Sequence, residues 1–184
     1  MTRIFGAALS SLFGVGLTVV SSARAGNDAI DGGDGDDTIL GQGGSDTLLG
    51  GRGQDAIAGG DGNDMLFGQE GADVLFGEAG ADLLAGGPGC DIVNGGLGGD
   101  LFQFGLGDQG DFIMNFNEGG VRDGFDLRPL FDAAGYAGTN PRGEGVLAVY
   151  QSGADADVYI FGVFYFRVQN VVAAAIDDSY FLFQ

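Results

Sequence analysis

The most regular feature of the chain is an apolar residue at every ninth position from Ile30 to Phe102. An aspartate stands two positions before each of these residues, and a glycine stands four positions before each of them. Nine consecutive nine-residue units keep this phase without an insertion; they begin at residues 23, 32, 41, 50, 59, 68, 77, 86 and 95. The glycine, the aspartate and the apolar residue occupy positions four, six and eight of each unit. A repeat of this length is typical of a solenoid.

Each unit is predicted to form one turn and one short strand. Side chains alternate between the two faces of a strand, so an apolar residue at position eight points inward while positions seven and nine point outward. We therefore expect a very short strand at positions seven to nine and a turn over the first six residues. Glycine at positions one, two and four permits backbone angles that other residues avoid, and it exposes main-chain carbonyls.

The aspartates at position six are candidate metal ligands. Calcium takes six to eight oxygen ligands at about 2.3–2.6 Å, so carboxylates and carbonyls from stacked turns suit it. Zinc and copper would need His or Cys, and the chain has no His and one Cys, Cys90. The candidate ligands are Asp28, Asp37, Asp46, Asp55, Asp64, Asp73, Asp82, Asp91 and Asp100.

Two units, 32–40 and 59–67, match Gly-Gly-x-Gly-x-Asp-x-(apolar)-x in full. This pattern resembles the RTX, or haemolysin-type calcium-binding, nonapeptide repeat. The resemblance implies a parallel β-roll in which two consecutive units make one coil and calcium lies between unit n and unit n+2, which allows at most about seven ions for nine units. Gln42, Gln69 and Glu78 replace the second glycine, so we expect weaker sites there. The strongest sites should involve the aspartates from position 37 to position 82, with Asp28 and Asp100 less well placed.

Composition predicts that the metal-free repeats do not fold. Residues 26–103 contain 24 Gly, 13 Asp, two Glu and one Arg, which gives a net charge of −14. Glycine loses the most conformational entropy on folding, and crowded carboxylates repel one another. The chain has no Lys and seven Arg, so it offers no basic surface for nucleic acid. The alternatives are a low-complexity linker, which would not keep an apolar residue at every ninth position, and a solenoid without metal, whose aligned carboxylates would repel.

The first 25 residues are predicted to be a secretory signal peptide. Arg3 precedes an apolar stretch, residues 4–20, and Ala23-Arg24-Ala25 is a small-x-small cleavage site. Cleavage after Ala25 would produce a secreted, extracellular protein. The alternative is an uncleaved membrane anchor, although the apolar stretch is near the lower length limit for spanning a bilayer.

Residues 104–184 are predicted to form a β-rich cap. Strands are expected at residues 111–116, 146–151 and 158–166, with a short helical turn at residues 126–132. The sequences DFIMNFNEGG, DLRPLFDAAGY, VLAVYQSG and DDSYFLFQ resemble the C-terminal target domain of RTX proteins exported by type I secretion. The resemblance implies a secretion signal and a cover for the open end of the roll, with Phe112, Phe161 and Tyr165 as candidate covering residues. A cap without a secretion role is the alternative. Type I substrates ordinarily carry only the C-terminal signal, so the export route stays open.

The sequence therefore predicts an all-β protein with three parts: a signal peptide (1–25), a calcium-binding β-roll (26–103) and a C-terminal cap (104–184). RTX rolls often form the tails of exported proteases and lipases. Without His, however, the chain has neither an H-E-x-x-H zinc site nor a Ser-His-Asp triad, and it has no G-x-S-x-G motif. We expect a secreted, non-catalytic calcium-binding protein.

The alternative function is a surface or matrix module for adhesion or assembly, with self-association or a cell-surface partner. It rests on apolar residues at the outward-facing positions seven and nine. These residues are Leu40, Leu49, Met65, Phe67, Val74, Phe76, Leu83, Ile92 and Leu101.

Overall fold

The computed structural model describes residues 3–5, 20–22, 25–117, 121–136, 141–143, 145–171 and 173–182. Two sheets make up the fold, here called sheet I and sheet II. Sheet I contains, in spatial order, β1 (Arg3–Phe5), β3 (Ala29–Asp34), β5 (Thr47–Arg52), β7 (Met65–Glu70), β9 (Leu83–Ala85), β11 (Leu101–Gln103), β13 (Gly124–Asp126) and β17 (Phe181–Leu182). Sheet II contains β14 (Leu147–Ser152), β15 (Asp155–Ile160), β16 (Val163–Val168), β12 (Asp111–Met114), β10 (Ile92–Leu97), β8 (Val74–Ala79), β6 (Ala56–Asp61), β4 (Thr38–Gly43) and β2 (Val20–Ser22).

Successive units alternate between the two sheets. Each strand of the repeats pairs in parallel with the strand two units later, so Ile30 lies beside Leu48 in sheet I and Ile39 lies beside Ile57 in sheet II. Two consecutive units thus make one coil of 18 residues. The all-β parallel β-roll that the resemblance implied is confirmed.

The side chains at position eight form the interior of the roll, as predicted. Every one of them is at most 3% exposed. Burial of a Val, Leu, Ile or Phe side chain contributes about 1.5–3 kcal/mol, so this single row supplies most of the apolar stabilisation of a thin, glycine-rich domain. The row consists of Ile30, Ile39, Leu48, Ile57, Leu66, Leu75, Leu84, Val93 and Phe102.

The strands are longer than the sequence predicted. Most contain six residues, because positions one to three of the next unit continue the strand that positions seven to nine begin. Residues at position two stay in the parallel ladder, as the pairing of Gly33 with Gly51 shows. In these units the turn shortens to positions four to six, and the prediction of three-residue strands was wrong. Only β9 and β11, among the repeat strands, have the predicted three residues.

The C-terminal region continues both sheets beyond the last repeat. In sheet II, β12 pairs in parallel with β10 and β16 pairs with β12. In sheet I, β13 pairs with β11 and β17 pairs with β13. These strands lie on the last coil, so the region covers the end of the roll rather than its sides.

Three predicted elements of this region are present and one is not. Strands occur at Asp111–Met114 and Leu147–Ser152, and helix α1 (Arg128–Ala133) occupies the predicted helical turn. The predicted single strand over residues 158–166 is instead a hairpin of β15 and β16. Its turn contains Phe161 and Gly162, both with positive φ, which reverses the chain and ends the strand.

Aromatic side chains join the cap to the roll. The ring of Phe125 stacks on that of Phe116 at 4.7 Å and lies 5.9 Å from that of Phe102. Phe166 extends the cluster, with its ring 4.9 Å from that of Phe125. Of the three covering residues that the sequence suggested, only Tyr165 is buried, whereas Phe112 and Phe161 are 36% and 48% exposed.

The predicted signal peptide is described only in part. Its strands β1 and β2 pair in parallel with β3 and β4. The cleavage-site residues Ala23 and Arg24 lie outside the described residues. Within the described parts of the chain, no helix has the length and apolar character needed to cross a membrane.

Candidate metal centre

The backbone of each turn depends on glycine at position four. In eight of the nine units the φ angle there lies between 122° at Gly44 and 148° at Gly71, a region in which a residue with a Cβ is strained. Gly89 is the exception, and an added Cβ there would clash with the carbonyl oxygen of Gly71. Residues at position two also have positive φ, but the angles are smaller than at position four. Gln42, Gln69 and Glu78 reach φ of 74–77° there, within the left-handed range that other residues tolerate. These substitutions therefore preserve the turn, and their expected weakening of individual sites remains a prediction.

The nine predicted ligands lie in two rows, one along each edge of the roll. All are buried, the most exposed being Asp28 at 6%. The Oδ1 atom of each carboxylate from Asp46 onward accepts the N–H of the aspartate two units earlier, at 2.7–3.0 Å. One oxygen of each of these carboxylates is thus committed to joining two stacked turns.

The other carboxylate oxygen, Oδ2, has no hydrogen-bond partner along both rows, although it is buried. This holds for Asp46, Asp55, Asp64, Asp73, Asp82, Asp91 and Asp100. A buried carboxylate oxygen without a partner lowers the stability of the fold by roughly several kcal/mol unless a hydrogen-bond donor or a cation reaches it. The regular recurrence of this arrangement indicates a bound cation.

Glycine at position one makes room beside each of these oxygens. A Cβ added to Gly59 would lie 2.5 Å from Oδ2 of Asp64 and 2.9 Å from the carbonyl oxygen of Gly77. The same three groups meet in the neighbouring units, for example at Gly41, where Oδ2 of Asp46 and the carbonyl oxygen of Gly59 approach. The φ angle of these glycines is not positive, so backbone conformation does not require glycine at position one. Glycine is needed there because a side chain would not fit.

Burial raises the pKa of the repeat carboxylates from Asp46 to Asp100. It does so most at Asp82 and Asp91, to about 7, and repulsion from neighbouring aspartates adds to the effect. The pKa values of Asp55 and Asp100 rise to about 6 for the same reasons. Hydrogen bonds from backbone N–H groups oppose the shift without cancelling it. The ionised rows are therefore unfavourable without a neutralising cation.

The donor set fits calcium. Throughout the described residues, no three side chains of His, Cys, Asp or Glu are grouped closely enough to hold an ion by themselves. An ion between two turns would therefore take carboxylate oxygens together with main-chain carbonyls such as that of Gly77. A flexible shell of six to eight oxygens is the coordination that Ca²⁺ prefers.

The structure adds two aspartates that the repeat pattern missed. Oδ1 of Asp111 accepts the N–H of Asp91 at 2.9 Å, and Oδ1 of Asp123 accepts the N–H of Asp100 at 2.9 Å. Both are 2% exposed or less. A shorter signal, Asp-x-apolar, survives in the sequence at residues 111–113 and 123–125, but insertions shift it out of the nine-residue phase.

Comparison with known protein families identifies the repeats. The profile of the RTX calcium-binding nonapeptide repeat fits four overlapping segments, at residues 22–57, 40–75, 58–89 and 67–102. Among curated proteins, none is similar enough to count as a relative.

The solved structures similar to the chain include the following three. The AlgE6R2 subunit of the mannuronan C5-epimerase from Azotobacter vinelandii is 30% identical, with 66% of this chain and 88% of that one covered and a TM-score of 0.47. The AlgE6R3 subunit of that epimerase is 24% identical, with 90% and 78% covered and a TM-score of 0.45. The extracellular lipase LipA from Serratia marcescens is 18% identical with a TM-score of 0.42; 90% of this chain matches, but it spans only 38% of the lipase.

The repeat profile, whose matches together span residues 22–102, agrees with the carboxylate rows in the structure. The chain belongs to the RTX calcium-binding nonapeptide-repeat family, and calcium is the ion that its repeats bind.

Proposed function

We propose that the chain is a secreted, non-catalytic calcium-binding protein whose roll folds when it meets calcium outside the cell. The observation that carries this proposal is the buried, partnerless Oδ2 at position six of successive units. We propose the nine repeat aspartates, Asp28 to Asp100, as ligands of several ions, at most about seven.

Coupling between folding and calcium follows from the electrostatics of the rows. Each coil stacks carboxylates 18 residues apart against one another, and the chain has no Lys to neutralise them. In the unfolded chain these groups are solvated and far apart, so the folded state is stabilised by the ion more than the unfolded state is. Extracellular calcium modules typically bind with Kd values of about 10⁻⁴–10⁻³ M, which suits folding after export.

A non-catalytic role is supported by the absence of His from the sequence and by the use of the repeat carboxylates. A general base or nucleophile needs access to substrate, whereas the aspartates of the rows are buried. The epimerase and lipase among the similar structures are enzymes by name, and that similarity gives this chain no catalytic group of its own.

Export is supported by the predicted signal peptide at residues 1–25 and by the resemblance of residues 104–184 to a type I target domain. The two signals imply different routes. N-terminal sequencing of the protein recovered from the culture medium would distinguish them: cleavage after Ala25 supports the first route, and an intact Met1 supports the second.

A calcium titration followed by far-UV circular dichroism tests the central proposal. We expect little β signal in chelator and a cooperative gain at millimolar calcium. Magnesium at the same concentration should fail, because it prefers a smaller octahedral shell and keeps its waters. A spectrum that is the same in chelator and in calcium would contradict calcium-dependent folding.

An assembly or adhesion module is the second candidate. Leu40, Met65, Phe76 and Ile92 are each 39–42% exposed on the outer faces of the roll. On sheet II, a shallow apolar depression of about 150 Å³ lies between Leu40 and Phe76, over the small side chain of Ala58. Size-exclusion chromatography with and without calcium separates the candidates, because only assembly predicts calcium-dependent oligomers.

A further inference from the structure

The segment 104–111 takes the place of a repeat turn without having the repeat sequence. Asp111 follows Asp91 by 20 residues instead of 18, so two residues are inserted. The stacking is nevertheless kept, since Ile113 lies beside Val93 in the parallel ladder and Asp111 accepts the N–H of Asp91. Residues 104–111 therefore cover the turn 86–91 as the next coil would.

Asp91 directs an unused oxygen into this junction. Its side chain is fully buried and its Oδ2 has no hydrogen-bond partner. The oxygen lies against Gly86, the first residue of its own unit, as the corresponding oxygens do in the interior turns. In those turns the repeat two units later supplies a glycine carbonyl to the same space, whereas here the non-repeat segment must supply the remaining ligands.

The segment 104–111 supplies a carboxylate at the level of position four, where every repeat has glycine. Asp108 is 5% exposed and forms an isolated parallel bridge with Gly89, which places it beside the turn of Asp91. Its Oδ2 accepts the N–H of Gly105 at 2.6 Å. Asp91, Asp108 and Asp111 lie close enough for their negative charges to repel one another.

No arginine neutralises this group of carboxylates among the described residues. The five arginines whose side chains the structure describes pair elsewhere: Arg52 with Asp34 and Glu70, Arg122 with Asp177, Arg128 with Asp126, Arg142 with Asp178 and Arg167 with Asp157. Buried carboxylates need a positive charge nearby, and a metal cation can supply it here.

We propose that the junction between the turns 86–91 and 104–111 holds a calcium ion outside the nonapeptide register, bound by the carboxylates of Asp91 and Asp108 with main-chain carbonyls. Asp111 closes the row by its hydrogen bond to the Asp91 backbone. The proposal rests on the proposed function for the identity of the ion, but its distinguishing residue, Asp108, belongs to no repeat. The cap thus binds calcium together with the last coil.

Asp108→Asn is the decisive variant. An amide oxygen can still accept the Gly105 N–H, so the variant removes the charge and keeps the hydrogen bond. Asp132→Asn, on the exposed surface of α1, removes the same charge elsewhere and serves as the matched control. The number of calcium ions bound to the full chain is counted by native mass spectrometry, with calorimetric titration for affinity.

We expect Asp108→Asn to bind one ion fewer than the wild-type chain and Asp132→Asn to bind the full number. An unchanged count for Asp108→Asn would overturn the junction site. Failure of the wild-type chain to bind any calcium would instead overturn the proposed function, so the two failures are distinguishable.

Terbium luminescence gives a second readout, which reports where the ion lies. Tyr165 is buried at the junction, and its hydroxyl lies 3.4 Å from the carbonyl oxygen of Gly105. A Tb³⁺ ion in the junction site should therefore emit when tyrosine is excited. Tyr165→Phe should remove most of this emission while the calcium count stays the same, and Asp108→Asn should remove it together with one ion. Undiminished emission in both variants would contradict the proposed location.

Discussion

Asp64 lets the two roles of a repeat carboxylate be separated. Its Oδ1 accepts the N–H of Asp46 at 2.7 Å, while its Oδ2 has no hydrogen-bond partner and faces Gly59. Asp64→Asn keeps an acceptor for the Asp46 N–H but replaces a charged oxygen with an amide. Asp64→Ala removes both oxygens. The difference between the two variants therefore measures the hydrogen bond, and the effect of Asn alone measures the cation ligand.

The expected magnitudes follow from these contacts. Loss of a site that is saturated at 100 times its Kd costs about 2.7 kcal/mol of unfolding free energy. Loss of a buried hydrogen bond to a charged group costs about 1.5–3 kcal/mol. In calcium at that excess, we expect Asp64→Asn to lose about 2–3 kcal/mol and Asp64→Ala about 4–6 kcal/mol.

Urea unfolding at a fixed calcium concentration, followed by far-UV circular dichroism, measures both losses. Calcium titrations of the same variants should show raised midpoints in the same order. Asp61→Asn is the matched control, since Asp61 is an exposed residue of the same unit and loses the same charge. If Asp64→Asn matched the control in both assays, Oδ2 would have no role in binding the ion. If Ala and Asn were equally destabilised, the hydrogen bond to the Asp46 N–H would contribute nothing.

Three further predictions concern the ends of the roll and its pH dependence. Asp28→Ala should raise the calcium midpoint less than Asp64→Ala, because its unit lacks glycine at positions one and two; equal midpoints would contradict the register. A chain ending at Gln103 loses the aromatic side chains that cover Phe102, so it should need more calcium to fold or should aggregate. An unchanged calcium midpoint together with a monomeric elution volume would refute the capping role. Without metal, the raised pKa of Asp82 means that the folded state is most stable when this carboxyl group is protonated. The β signal in chelator should therefore be greatest near pH 4 and fall as the pH rises to about 7. A metal-free signal that increases over this range would contradict the prediction.

Much of the repeat domain was predictable because its information is local. An aspartate and an apolar residue two positions apart determine which side chain enters the core and which lies at the turn, and the period of nine makes each coil like the next. The rows from Asp28 to Asp100 and the core from Ile30 to Phe102 follow from that pattern. The pairing of units 18 residues apart came from the family resemblance, and the structure confirms it.

Strand length could not be predicted from the pattern of apolar residues. Positions one to three carry glycine and polar residues, which have low strand propensity in isolation. They are held in the ladder by the strands on either side, as Gly51 is by Gly33 and Gln69. The free energy that orders them comes from neighbouring coils, which a single unit does not contain.

The end of the roll was decided by tertiary structure. Insertions move Asp111 and Asp123 out of the nine-residue phase, so no periodic pattern finds them, yet both continue the aspartate rows in space. Asp108 is placed beside Asp91 only because the chain 104–111 folds over the preceding turn. The sequence by itself determined the nine-residue unit, the apolar core and the repeat carboxylates. Which residues complete the row depends on stacking between distant segments, because a carboxylate is buried and oriented by the turn packed against it and not by its own neighbours in sequence.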